Sequence, residues 1–326
     1  MTRDSEDAAA DAAIHTEALR KTYVTPRGEV PAVHGLDLTV RRGEFFGLLG
    51  PNGAGKSTTM GMLTTRVLPT GGTARVAGFD VRRRQIDVKR RIGVVTQANT
   101  MDRAVTIRQG LEYRGRYFGL TTRQARQRAA ELLDRFQLGE VADAMDDHVS
   151  GGQSKRAMVA RALIHRPEVL FLDEPTAAID PQARNGLWEL LRELNAGGQT
   201  ILLTTHYLQE AQELCGRIAI VDRGTLLTCD TVAGITEASG ADTVLTLTFD
   251  GPAEPTVERT LKLDGVRRAE AEGTELRVYA AKGEGLLGEL IVVGADHGLA
   301  VRNAATLPPS LETAFLNLTG REYREQ

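Results

Sequence analysis

The sequence predicts an α/β fold built on a buried parallel sheet, followed by a smaller α+β domain. Three observations carry this. Short β-branched or apolar runs recur at Phe45 to Leu49, Ile92 to Val95, Val169 to Leu172, Ile201 to Thr204 and Ile218 to Val221. Strands that read as unbroken apolar runs suit a parallel sheet covered on both faces. Long amphipathic stretches separate several of them; in Thr121 to Leu138, Ala125, Ala129, Leu132, Leu133 and Phe136 fall at helical spacing. Finally, near Ile235 to Thr243 the composition turns rich in Gly and Ala, and a different pattern begins. The length of 326 residues fits two domains, because single cores stop growing at roughly 250–300 residues.

In the second pattern, Val244 to Phe249 alternates like a strand and Pro255 to Leu263 reads as a helix. Val266 to Ala271 and Glu275 to Tyr279 form a hairpin pair around Gly273, followed by a helix at Gly285 to Ala295 and a strand at Leu299 to Ala304. The order β-α-β-β-α-β predicts a ferredoxin-like unit. A last helix, Ser310 to Leu318, starts after Pro308-Pro309 with Ser310 as N-cap. The boundaries expected are a disordered tail at 1–13, a first domain at 14–235 and an accessory domain at 243–326.

Composition narrows the function classes. Net charge is −3, which implies no general affinity for polyanions, so no nucleic-acid partner is expected. No apolar run approaches the ~20 residues of a membrane-spanning helix. Residues 1–13 are acidic and Ala-rich without an apolar core, unlike a signal peptide. Cys215 and Cys229 have no metal spacing and read as reduced thiols.

Chemistry enters at Gly50-Pro51-Asn52-Gly53-Ala54-Gly55-Lys56-Ser57-Thr58, which contains G-x-x-x-x-G-K-[ST] between an apolar strand and a helical run. Glycines let successive backbone N–H groups curl into an anion-binding nest, and the following helix points its positive end at it. Lys56 is placed to neutralise the β- and γ-phosphates of ATP, and the Ser57 hydroxyl to ligate Mg²⁺. A second signal is Glu168 to Glu174, an apolar strand ending in two acids. Ligands of open α/β sheets bind beyond the carboxyl ends of strands. There Asp173 would hold the Mg²⁺ shell and Glu174 would polarise the attacking water as general base.

Val149-Ser150-Gly151-Gly152-Gln153 then resembles the L-S-G-G-Q signature of the ABC ATPase family. The resemblance covers about Ile14 to Asp230 in the family's order. It implies the ABC-ATPase fold: a parallel core sheet, an antiparallel β subdomain and a helical subdomain at about 98–165. It also implies roles for single residues. Tyr23 matches the aromatic that stacks on adenine, and Gln97 the glutamine that touches Mg²⁺ and senses the transporter. Asp180 matches the aspartate of the loop after the acidic strand, and His206 the switch histidine at the γ-phosphate. In the family, the signature caps the γ-phosphate of ATP bound to a second copy of the chain, so two ATP molecules are held between two heads. Val149 replaces the family's leucine, and Ala177-Ala178-Ile179-Asp180 departs from its usual Ser-x-Leu-Asp or Thr-Gly-Leu-Asp form.

The C-terminal run Leu307 to Arg321 resembles the tail of daunorubicin-resistance-type exporter ATPases, P-[ST]-L-x-x-[VA]-F-L-x-L-T-G-R. This implies an ABC-2 type export system: two copies of this chain, peripheral on the cytoplasmic face of the membrane, under a separate permease. Its cargo class would be a drug, antibiotic, lipid or polysaccharide. Tyr113, Tyr117 and Phe118 are expected to line the groove that receives the permease, with core packing as the competing expectation. An importer ATPase and a non-transport ABC ATPase are the alternatives. The tail favours export, and one cassette without sustained heptads or zinc-type cysteines disfavours the non-transport classes.

Overall fold

The structure, a computed structural model, describes residues 12–177, 179–239, 243–281, 285–307 and 310–319, apart from the side chain of Leu316. Expectations for residues 1–11, Ala178, Pro308, Pro309, Gly320 and Arg321 lie outside the described residues. The chain divides into two compact units, one ending at Cys229 and the other beginning at Asp230.

The first unit holds two sheets. β1 (Ala12–Thr25), β2 (Gly28–Arg41), β4 (Gly71–Val76) and β5 (Phe79–Asp80) form a sheet in the order β2-β1-β4-β5, with antiparallel pairing throughout. The larger sheet has the order β10-β9-β3-β8-β7-β6. It comprises β3 (Phe45–Leu49), β6 (Ile92–Val95), β7 (Val169–Asp173), β8 (Thr200–Thr205), β9 (Arg217–Asp222) and β10 (Thr225–Asp230). Its central pairs β6/β7, β7/β8, β8/β3 and β3/β9 are parallel. Every residue of β3 and β8 is buried, as expected of strands covered on both faces. A core of Phe46, Leu48, Phe171, Leu202 and Ala219 from this sheet continues into Ile14, Leu36, Val40 and Val76 of the antiparallel sheet. Ala12 and Ala13, expected in the tail, are buried residues of β1, because the first apolar side chains of the strand already face that core.

Helices connect these strands. α1 (Lys56–Leu63) follows β3, and α2 (Gln85–Arg91) precedes β6. Between β6 and β7 lie α3 (Ile107–Tyr117), α4 (Thr122–Arg135) and α5 (Gly151–Ala162). All three start with a capping box, from Thr106/Gln109, Thr121/Gln124 and Ser150/Gln153. Each satisfies N-terminal backbone groups that would otherwise lack partners. α6 (Pro181–Ala196) starts with Pro at its first position, and α7 (Leu208–Leu214) follows β8.

The second unit contains α8 (Val232–Ala238), β11 (Thr243–Phe249), α9 (Val257–Thr260), β12 (Val266–Glu272), β13 (Glu275–Ala280), α10 (Leu286–Asp296), β14 (Val301–Leu307) and α11 (Leu311–Thr319). Its sheet has the order β12-β13-β11-β14, all antiparallel, the strand order of a ferredoxin-like fold. Leu245, Leu247, Phe249, Leu276, Val278 and Ala280 alternate onto one face and pack with Leu286 and Leu290. The expected helix at 255–263 shrinks to the single turn of α9, entered by a 3₁₀ turn that carries Pro255. α8 runs into the Gly- and Ala-rich stretch that begins near Ile235; Thr231 caps it, accepting from the Gly234 N–H.

Candidate active site

The residues between β3 and α1 form the phosphate cradle. Gly50 must be glycine, because a Cβ there would lie 2.2 Å from the Val221 carbonyl oxygen. Gly55 has φ +98°, and a Cβ there would lie 2.6 Å from the Ala32 carbonyl oxygen. The loop is therefore pressed against β2 and the β9–β10 turn, where the Gly224 N–H donates to the Ala54 carbonyl at 2.9 Å. No side chain caps α1, and its first turn carries no acid. Unlike the self-capped α3, α4 and α5, this helix keeps its positive end for an anion. Lys56 is buried, donating to the carbonyls of Gly50 at 2.7 Å and Pro51 at 3.1 Å. Burial pushes its ammonium below the usual lysine range, and the Glu174 and Asp173 carboxylates pull it back up. Ser57 is exposed on the first turn of α1, beside half-buried Thr58.

β7 delivers the two acids. Asp173 ends the strand and accepts a 2.6 Å hydrogen bond from the Thr204 hydroxyl of neighbouring β8. Glu174 has φ +46°, a conformation rare outside glycine, and its backbone N–H donates to the Thr204 carbonyl at 3.0 Å. Its carboxylate is where four segments converge. Oε1 lies 3.7 Å from Lys56 Nζ and 3.1 Å from His206 Nδ1, and Oε2 accepts from Gln97 Nε2 at 3.2 Å. Lys56, Gln97, Glu174 and His206, far apart in sequence, thus meet at one carboxylate, with Lys56 and Glu174 buried.

Gln97 is exposed just past β6, and its carbonyl accepts from the buried Lys155 of α5 at 2.8 Å. Ser150 caps α5 with Gly151, Gly152 and Gln153 in its first turn; the Ser150 hydroxyl accepts from the Gln153 N–H, and Gln153 Oε1 accepts from the Ser150 N–H. Asp180 caps α6, accepting from the Ala183 N–H at 2.8 Å. Tyr23 sits on the exposed end of the β1–β2 hairpin, opposite Val30 and near the β2 residues that touch Gly55. Its ring lies under the Lys21 ammonium at 4.9 Å. No contact joins Tyr23, Ser150 or Asp180 to the Glu174 cluster among the described residues.

Sequence reasoning did not single out Thr204 and Lys155. A pair of threonines closing an otherwise apolar strand, and a lysine on the buried face of α5, were the available signals. Tyr113 and Tyr117 are exposed, whereas Phe118 stacks on His165 at 3.7 Å. Packing thus accounts for Phe118 and leaves the two tyrosines facing solvent.

A phosphate loop after a central parallel strand, with two carboxylates at the end of β7, separated from it by β8 alone, defines a P-loop nucleoside triphosphatase. Comparison with known proteins carries this further. Residues 33–177 match the ABC transporter family model. The daunorubicin resistance ATP-binding protein DrrA2 of Streptomyces coeruleorubidus is 41% identical over 94% of this chain and 95% of its own. The Nod factor export ATP-binding protein I of Ralstonia nicotianae is 41% identical over 96% of this chain and 95% of its own. A dimeric ATP-binding cassette solved in a post-hydrolysis state with ADP and Pi aligns with TM-score 0.62 at 26% identity, over 67% of this chain and 98% of that one. The chain belongs to the ATP-binding proteins of ABC transporters and is an ABC-type ATPase.

Proposed function

We propose that this chain is the ATP-hydrolysing subunit of an ABC-2 type export system. In this reading two copies close on Mg-ATP and part after hydrolysis, driving a separate membrane permease. The supporting observation is the convergence of Lys56, Gln97 and His206 on Glu174. Lys56 neutralises phosphate charge from the cradle floor. Glu174 takes a proton from the attacking water, and His206, 3.1 Å away, orients that carboxylate toward the water. The positive φ at Glu174 suits a residue held in place for function.

The residues fit a magnesium ion. Ser57, Asp173 and Gln97 offer oxygen donors, the type this hard cation takes, and the Thr204 hydroxyl fixes the Asp173 carboxylate at 2.6 Å. Held by these residues, the ion would supply positive charge that neutralises charge developing on the phosphates. Tyr23 would stack on adenine. Ser150 to Gln153 would cap the γ-phosphate on the second copy, and Asp180 would carry the signal between copies.

The export assignment is supported by the relatives, named for daunorubicin resistance and Nod factor export, which match nearly the whole chain. The cargo class is accordingly a drug-like, antibiotic, lipid or polysaccharide molecule. No helix among the described residues is long and apolar enough to cross a membrane, so a separate permease would supply the path. The chain would then sit peripherally on the cytoplasmic face, and exposed Tyr113 and Tyr117 would help receive the permease. Light scattering on Glu174→Gln with and without Mg-ATP tests the two-copy cycle. ATP is expected to convert monomer to a stable dimer; ATP binding without a dimer would contradict it.

A further inference from the structure

Glu210 is a fully buried carboxylate that the mechanism above does not use. It lies on α7, one helical turn past His206. Its Oε1 accepts two hydrogen bonds, from the Thr176 hydroxyl at 2.8 Å and the Trp188 indole N–H at 3.2 Å. Thr176 sits just beyond Glu174, in the loop that leads to Asp180. Trp188 sits on α6, the helix that Asp180 caps. One oxygen therefore ties the loop after Glu174, through Thr176, and the helix that Asp180 caps, through Trp188, to the helix that follows His206.

Stability alone does not ask for a carboxyl here. Burial pushes its pKa up, opposed by the hydroxyls of Thr205 and Thr176, the Trp188 indole and the Arg184 charge. An apolar side chain of similar volume would fill the space without that desolvation cost. The carboxyl oxygen Oε1 accepts from both Thr176 and Trp188, which no apolar group can do.

We propose that Glu210 is a positioning residue for hydrolysis, holding the segment of Glu174 and Asp180 in register with the segment of His206. The proposal rests on the site assigned above. A misplacement of about 1 Å between reacting groups can cost on the order of a hundredfold in rate, so the link acts on kcat and leaves the cradle's grip on ATP intact.

The test compares ATP hydrolysis and Mg-ATP affinity of the full chain for Glu210→Leu, Glu210→Gln and Thr176→Val, with Glu174→Gln alongside. Glu210→Leu is expected to lower kcat roughly twentyfold with affinity held within about twofold. Glu210→Gln retains an acceptor oxygen and is expected to recover kcat to within about threefold of wild type. Thr176→Val lowers kcat as well and adds nothing on top of Glu210→Leu, because both remove one link. Should Glu210→Leu fail to fold, Thr176→Val, which exchanges a hydroxyl for a methyl, carries the test with the same split. Wild-type kcat in a folded Leu or Val variant, no rescue by Gln, or a parallel fall of kcat and affinity would overturn the proposal. Wild-type turnover in Glu174→Gln would instead overturn the site assignment beneath it.

Discussion

Glu174 shows how much of the site a single residue can carry. The two acids at the end of β7 and the glycine-framed Lys56 were legible as motifs, because strand, loop and residue type coincide locally. Family order assigned Gln97 to Mg²⁺ and His206 to the γ-phosphate, and their meeting on the Glu174 carboxylate was not legible, since it depends on which strands are neighbours. Glu210 and Thr204 were not legible, because nothing local marks a glutamate on a short helix as buried. His165 gives the pH prediction at this scale. Burial pushes its pKa from 6.5 down to about 4, and its ring stacks on Phe118. The unfolded chain takes up a proton near pH 6.5 that the folded chain resists until about pH 4. This destabilising contribution is therefore absent above pH 7 and grows as pH falls through that window. Urea unfolding at pH 7.5 and pH 5 should show wild type losing about 1–2 kcal/mol more than His165→Gln, after allowance for partial exposure. Equal losses would contradict a buried neutral imidazole.

At the scale of elements, the best-read segments carried several consistent signals. α4 combined apolar periodicity with a Thr121/Gln124 capping box, and β3 and β7 were unbroken apolar runs beside motifs. α9 was overread because Pro255 and a short loop leave room for one turn only, and α8 was missed because Gly234 sits inside it. α5 is the element on which a prediction falls. Ser150 caps its own helix, and in the proposed cycle the same residue faces the phosphate on the second copy. Ser150→Ala should cost about 1 kcal/mol of stability and leave monomer ATP affinity unchanged. It should also weaken the ATP-dependent dimer of the Glu174→Gln background. Calorimetry with light scattering reads both effects, and an unaltered dimer would remove Ser150 from the interface.

At the scale of the whole chain, two units with separate cores explain why the ATP-site motifs crowd the first two-thirds and then stop. The ferredoxin-like order of the second unit was legible from strand and helix spacing alone, since alternating strands on a one-faced sheet leave a period-two pattern. The division itself falls after Cys229, ahead of the expected end at 235, because α8 packs with α11 of the second unit, where Asn317 donates to the Ser239 carbonyl at 3.3 Å. In the proposed mechanism the first unit hydrolyses ATP through Glu174. Its most direct test is phosphate release by wild type and Glu174→Gln, with bound ATP measured on both. Wild type is expected to turn over and the variant to lose roughly a hundredfold or more while still binding ATP. Equal phosphate release by the two proteins would contradict it.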